Sequence, residues 1–168
     1  MISDSSTTVA FTGHRTYCGE ASAALAATVC ELHTQGFRTF LCGMAVGFDL
    51  SAAEAVLALR GSLAGLRFVA VVPFSGQETR FSHADRTRYH TAMASADDVV
   101  VLSPVYHAGC YAVRNNYLVE HASLLVAWYD GSPGGTRHTV LRALRRGLKL
   151  VNLHPQRAGV LPTVPTLF

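Results

Sequence analysis

Lysine is nearly missing from this chain of 168 residues: Lys149 is the only one. Charged side chains of both signs make up 15% of the sequence, and the net charge of +3 comes almost entirely from arginine. Duplex nucleic acid is gripped through many cations set along its phosphates, and so thin a coat does not provide them. It does suit an arginine-lined pocket for one small anion, because a planar guanidinium forks onto phosphate oxygens. Cys18, Cys30, Cys42 and Cys110 form no Cys-x-x-Cys pair. They read as reduced thiols of a cytoplasmic protein, not as a disulfide frame or a zinc site. The eight histidines show no metal-ligand spacing, so neither a metal nor a cofactor is assigned. No apolar run approaches membrane-spanning length, and residues 1–8 lack the basic start and apolar core of a signal peptide. Also absent are a Walker Gly-Lys-Ser/Thr, a Gly-x-Gly-x-x-Gly fingerprint and a Gly-x-Ser-x-Gly elbow. Their absence leaves an ATPase, a nicotinamide dehydrogenase and a serine hydrolase without support.

What is present is a regular alternation. Short apolar runs at residues 7–12, 37–41, 66–72, 96–102, 123–128 and 148–153 read as strands. Residues 66–72 are apolar without clean alternation, as a parallel strand buried on both faces is. Helical stretches separate them. Residues 20–35 carry Leu25, Val29 and Leu32 on one stripe and end at Gly36. An alanine- and leucine-rich run reaches Arg60; residues 78–94 are polar and arginine-rich with a ragged start; residues 111–121 follow. The last helix, after Thr136, is marked by Val140, Leu141, Leu144 and Leu148. Alternation without a linker or repeat predicts one α/β domain over residues 1–154. Its expected form is three layers, a mostly parallel sheet of about six strands with helices on both faces. Residues 155–168, with three prolines, read as an extended tail lying across the surface or a partner chain. That tail and the low charge content favour a homo-oligomer.

Glycine loops follow the strands, and in such sheets ligands sit beyond the carboxyl ends of the strands. Gly13-His14-Arg15 follows the first strand. Cys42-Gly43-Met44-Ala45-Val46-Gly47-Phe48-Asp49 follows the second, and Gly131-Ser132-Pro133-Gly134-Gly135-Thr136 the fifth. Gly43 and Gly47 let the backbone turn and approach a ligand, since no Cβ intervenes. A helix opening next presents unpaired N–H groups and the positive end of its dipole to an anion. Ser51-Ala52-Ala53-Glu54 fits a capping box at the start of the second helix. Gly134 and Gly135 with the Thr136 hydroxyl form a second anion cradle; the alternative is an ordinary loop with Thr136 as N-cap. Arg15 and Arg114 either neutralise an anion or lie on the surface. Asn115 and Asn116 are poor helix formers, which points to a polar duty toward a base or ribose. Asp49 would repel phosphate, so it either accepts from ribose hydroxyls or caps the second helix. Arg142, Arg145 and Arg146 read as a solvated face near a helix C-terminus. Arg80, Arg86 and Arg88 could track a nucleic-acid backbone, but no stacking platform accompanies them in the sequence.

The ordered set of these motifs resembles a known family. Thr12-Gly13-His14-Arg15, the Cys42–Asp49 loop with Ala52-Ala53-Glu54, Pro73-Phe74-Ser75-Gly76-Gln77, Arg114-Asn115, Tyr129-Asp130 and Gly134-Gly135-Thr136 together look like the YpsA-like branch of the SLOG superfamily. The resemblance implies a Rossmann-like fold and a pocket for a nucleotide or nucleotide-derived ligand. The ligand-binding set is Gly13, His14, Arg15, Gly43, Met44, Gly47, Asp49, Arg114, Asn115, Gly134, Gly135 and Thr136; no catalytic residue is assigned. The LOG phosphoribohydrolases of that superfamily carry a catalytic glutamate where this chain has Thr139, so a LOG-like hydrolase of an N-glycosidic or phosphate bond is an alternative only. Likeness to the DNA-processing protein DprA at Gly47-Phe48-Asp49 and Arg114-Asn115 adds single-stranded nucleic acid as a second alternative. The expected function is binding or sensing of a small nucleotide at the carboxyl edge of the sheet.

Overall fold

The computed structural model describes residues 4–155. The alternating segments become six strands and five α-helices among the described residues: β1 (Thr8–Gly13), α1 (Ser22–Thr34), β2 (Thr39–Cys42), α2 (Phe48–Leu59), β3 (Arg67–Val72), α3 (His83–Ser95), β4 (Asp98–Val101), α4 (Cys110–Glu120), β5 (Leu124–Trp128), α5 (Gly135–Arg145) and β6 (Lys149–Asn152).

All strand pairings are parallel, in the order β4-β3-β2-β1-β5-β6. Side chains alternate across each strand, and both faces are covered over the central strands, while Val99 and Val101 of the edge strand β4 stay exposed. Val9, Phe11, Phe40, Phe68 and Val126 share one core with residues of α1 and α2. Ala10, Leu41, Val69 and Leu125 share the other with Leu118 of α4 and Val140 of α5. Order runs outward from β1 to β4 and then returns to the other side of β1. Right-handed crossovers therefore put successive helices first on one face and then on the other. The reversal lies between β1 and β5, whose registers pair Gly13 with Trp128 at the carboxyl end. That is where loops diverge and leave a crevice. The expected tail, residues 155–168, lies outside the described residues after Pro155.

The second helix corrects a sequence expectation. α2 begins at Phe48, with Gly47 at its N-cap and no side-chain cap, so Ser51 and Glu54 lie inside the helix and form no capping box. The Ser51 amide donates to the Gly47 carbonyl, and Arg88 of α3 takes both side chains, donating to Glu54 Oε1 and to Ser51 Oγ at 3.3 Å. The reason is Phe48, fully buried against Phe11 and Tyr17. Anchoring that ring starts the helix earlier than the polar signature implies. The ragged start at residues 78–94 resolves into a short 3-10 turn, Gln77–Arg80, followed by α3 with Ser82 as a true N-cap.

Candidate functional site

A cleft of about 330 Å³ opens above the reversal. β1 and its loop supply Thr12, Gly13, His14 and Arg15; the loop after β2 supplies Ala45, and the first turn of α2 supplies Asp49. α4 contributes Tyr111, Arg114 and Asn115, and α5 contributes Gly135 and Thr136. Loops that are far apart in the chain thus meet at one rim. Gly43, Met44, Gly47 and Gly134 stand beside this lining, not in it.

The glycines of the second loop are occupied from inside the protein. A Cβ on Gly43 would lie 2.5 Å from Arg114 Nη1, and the Gly43 carbonyl accepts a hydrogen bond from that same nitrogen. A Cβ on Gly47, whose φ is +81°, would meet the Arg15 backbone at 2.6 Å. Each absent side chain makes room for an arginine. Met44 follows at φ +61° and is fully buried, a conformation costly for a residue with a Cβ. Gln77, also buried, helps hold it by donating to the Gly43 and Met44 carbonyls, each at 3.3 Å.

Arg114 is only 6% exposed. Its Nε donates to Asn115 Oδ1 at 2.8 Å, which orients the amide beside α5. A Cβ on Gly135 would come within 3.7 Å of Asn115 Nδ2. Asp49 is 5% exposed and accepts from the Ala45 amide at 3.2 Å, so it ties the loop ahead of the helix. Burial pushes its carboxyl up to about 6, against the opposing pull of Arg114, the Ala45 amide and Arg15. Burial likewise lowers the Arg114 guanidinium, with Asp49 holding it up. The Cys42 thiol is raised well above its usual range by burial and by Asp49, and donates to the Asp49 carbonyl at 3.1 Å. The interior half of the cleft is thus a carboxylate and a guanidinium kept dry together.

The outer half is less committed. Arg15 is exposed, sits 5.8 Å from the Tyr111 ring centroid, and makes no ion pair among the described residues. Arg114 lies 6.0 Å from the same ring. Both distances are those of a cation held against an aromatic face. His14 Nε2 stands 2.8 Å from Asp130 Oδ1 and joins the loops after β1 and β5. Ser132 holds the Asp130 carboxyl below its usual range, through hydrogen bonds from its hydroxyl and its amide at 2.9 Å. α5 opens on the cleft with Gly134 at its N-cap and no side-chain cap. The first amides of a helix have no partner within it, so this end presents donors to the crevice. Thr136 lies in the first turn and does not serve as N-cap. Thr139 is fully buried and donates to the Gly135 carbonyl at 2.9 Å.

Beyond Tyr111 the rim continues into a groove of about 790 Å³ that shares Arg15, Ala45 and Tyr111 with the cleft. Three rings gather there. Phe74 meets Tyr106 edge-on at 5.5 Å and Tyr111 at 6.0 Å. Arg80 is on the groove wall, while Arg88 is paired with Glu54 and Asp85, and Arg86 donates to the Thr79 and Phe81 carbonyls. The aromatic platform missing from the local sequence is assembled in space, from the loop after β3, the loop before α4 and α4 itself.

Fold and crevice together define a Rossmann-like α/β domain whose open helix end and arginines face the strand-order reversal. The chain belongs to the YpsA family of SLOG proteins: that family's model, described as the YspA SLOG family, matches residues 9–149. A UPF0398 protein of Halalkalibacterium halodurans is 27% identical over 120 residues, covering 70% of this chain and 64% of its own length. The uncharacterized SPbeta prophage-derived protein YoqJ of Bacillus subtilis is 27% identical over 130 residues, covering 69% of this chain and 76% of its own. Among solved structures, DNA processing protein A of Streptococcus pneumoniae superposes with a TM-score of 0.67 at 18% identity, over 93% of this chain and 53% of that one. DNA processing protein A of Helicobacter pylori, solved for its single-stranded DNA binding mode, gives 0.64 at 13% identity, over 87% and 64%. The chain therefore spans under two thirds of the Halalkalibacterium relative and of both structural neighbours, and these structures share its fold. No helix among the described residues is long and apolar enough to cross a membrane.

Proposed function

We propose that the cleft binds a small nucleotide or nucleotide-derived ligand. The observation that carries this reading is the α5 N-terminus, left without a side-chain cap in the same cleft as Arg15 and Arg114. Unpaired helix amides and the dipole attract a phosphate, and Arg15 has a guanidinium to add, since it makes no ion pair among the described residues. Gly13 and Gly135 keep the rim low, while Thr136 adds a hydroxyl. Asp49 and Asn115, on the far wall, address sugar hydroxyls or a base edge. Gly43 and Gly47 act indirectly, by seating Arg114 and the Arg15 backbone. His14 fixes the loop that bears Arg15. Isothermal titration with nucleoside mono-, di- and triphosphates and with ADP-ribose-type ligands tests the reading. The expected result is saturable binding that Arg15→Ala weakens; no heat with any of them would overturn it.

A hydrolytic reading has one observation in its favour. Asp49 places a carboxylate in the cleft, and ionised at neutral pH it would stabilise positive charge developing at a ribose carbon. Thr139, bonded back into its own helix, has no such charge. Chromatography of a bound nucleotide after incubation should then reveal free base, and an unaltered nucleotide would leave binding alone.

A further inference from the structure

The groove next to the cleft is built for something flat. Tyr106 is 62% exposed and Tyr111 36%, although large rings held together at a surface are normally covered by a partner or ligand. Phe74 packs edge-to-face with both, and Tyr106 and Tyr111 lie 6.4 Å apart at 57°. An edge-to-face pair takes the edge of one ring and one face of the other, and Tyr106, 62% exposed, keeps ring surface open to an incoming π-system. The charge nearby is of the sign a nucleotide needs. Arg15 stands at the junction with the cleft and Arg80 on the far wall, whereas Asp85, the carboxylate on that wall, is 3.0 Å from Arg88 and already neutralised. Thr79, Ser82 and Gln77 supply polar groups beside the rings.

We propose that this groove is a nucleobase-stacking subsite continuous with the phosphate cleft, so that the ligand is a dinucleotide-type molecule spanning both. One unit sits in the cleft, Arg15 lies against the phosphate that links the two, and the second base stacks on Tyr106 and Phe74. The proposal rests on the nucleotide reading above and adds the second half of the ligand. A stacked base contributes about 1–3 kcal/mol by alanine substitution, which is roughly five- to 150-fold in affinity.

The test compares a nucleoside 5′-monophosphate with the matching 5′-phosphorylated dinucleotide, for each of the four common bases, by titration against the full chain. For at least one base the dinucleotide should bind about tenfold tighter. Tyr106→Ala should erase that margin without changing the mononucleotide affinity, and Tyr106→Phe should retain it. Tyr106 is too exposed for its loss to unfold the protein, and a thermal melt of each variant checks this. If mononucleotides bind and dinucleotides gain nothing, or the gain survives Tyr106→Ala, the subsite is refuted and the cleft reading stands. Silence from both ligands refutes both. A twelve-nucleotide single strand that binds where dinucleotides do not would make a polymer the occupant and overturn the proposal. So would sedimentation showing that Tyr106→Ala dissociates an oligomer while dinucleotide affinity is unchanged, since a second copy would then cover the rings.

Discussion

The cleft and the groove share Arg15 and Tyr111 yet are built on opposite plans. In the cleft the charges lie inside: Asp49 and Arg114 are buried, and their hydrogen bonds go to the protein's own loops. In the groove the charges lie at the wall and aromatic rings stand in the open. The helix ends differ in the same sense. α5 opens on the cleft without a side-chain cap, whereas α3, at the groove, is closed by Ser82, which accepts from the Asp85 amide at 3.1 Å. The cleft has spent Arg114 on its own architecture and kept a free helix end; the groove has closed its helix end and kept free surface. Two neighbouring arginines therefore carry different duties, and a substitution at each should separate stability from binding.

The largest effect is expected at Arg114. Arg114→Ala removes the shorter of the two hydrogen bonds to the buried Gly43 carbonyl, leaves Asp49 without the guanidinium that offsets its charge and opens a cavity, a combined loss of about 3–5 kcal/mol. Urea unfolding measures it, and a loss under 1 kcal/mol would place the guanidinium among the dispensable groups of the groove. Next comes Asp49. Its folded value, about 6 against an ordinary 3.8, means the folded chain holds the proton more tightly than the unfolded one. The contribution of Asp49 to stability is then greatest below pH 4, falls as pH rises toward 6 and is flat above, by about 2–3 kcal/mol in total, while Asp97 and Asp130, whose carboxyls are held low, act in the opposite direction at acid pH. Asp49→Asn should remove that slope from a series of melts at different pH. An anion arriving beside this carboxylate should raise it further, so that nucleotide binding near pH 6.5 takes up a fraction of a proton; titration in buffers of unlike ionisation enthalpy would show it.

Arg15→Ala should behave in the opposite way to Arg114→Ala. A melt is expected to move by less than about 0.5 kcal/mol, while nucleotide affinity drops roughly tenfold, as loss of a charge-assisted hydrogen bond entails. Equal losses in both measurements would erase the distinction between the two arginines. The smallest change is expected at Ser82→Ala, about 1 kcal/mol of stability for a lost cap with cleft affinity untouched.

Much of this architecture was legible because it follows from local chemistry. Glycine loops after apolar runs mark carboxyl ends of strands, so Gly13, Arg15, Asp49 and Thr136 could be assigned to one edge without knowing the strand order. Asn115 and Asn116 were readable as poor helix formers with a polar duty, beside an arginine that could neutralise an anion. Two features were not legible for the same reason. Ser51 and Glu54 match a cap in spacing, but the buried Phe48 decides where α2 begins, and burial is a tertiary fact. Phe74, Tyr106 and Tyr111 are scattered in sequence, and only the packing of α4 against the loop after β3 makes them a platform. Arg80 thereby shares a groove with rings that lie far from it along the chain. Gly43 and Gly47 looked like openings toward a ligand, yet the space each leaves is taken by an arginine of the same chain.

Loops that part in opposite directions from a sheet would be free to spread, and a crevice between them would then have no set width. The imidazole of His14, held at 2.8 Å by Asp130, ties one such loop to the other across the divide. That tie restrains the gauge of the entrance before any guest arrives, and so lessens the ordering that entry must impose.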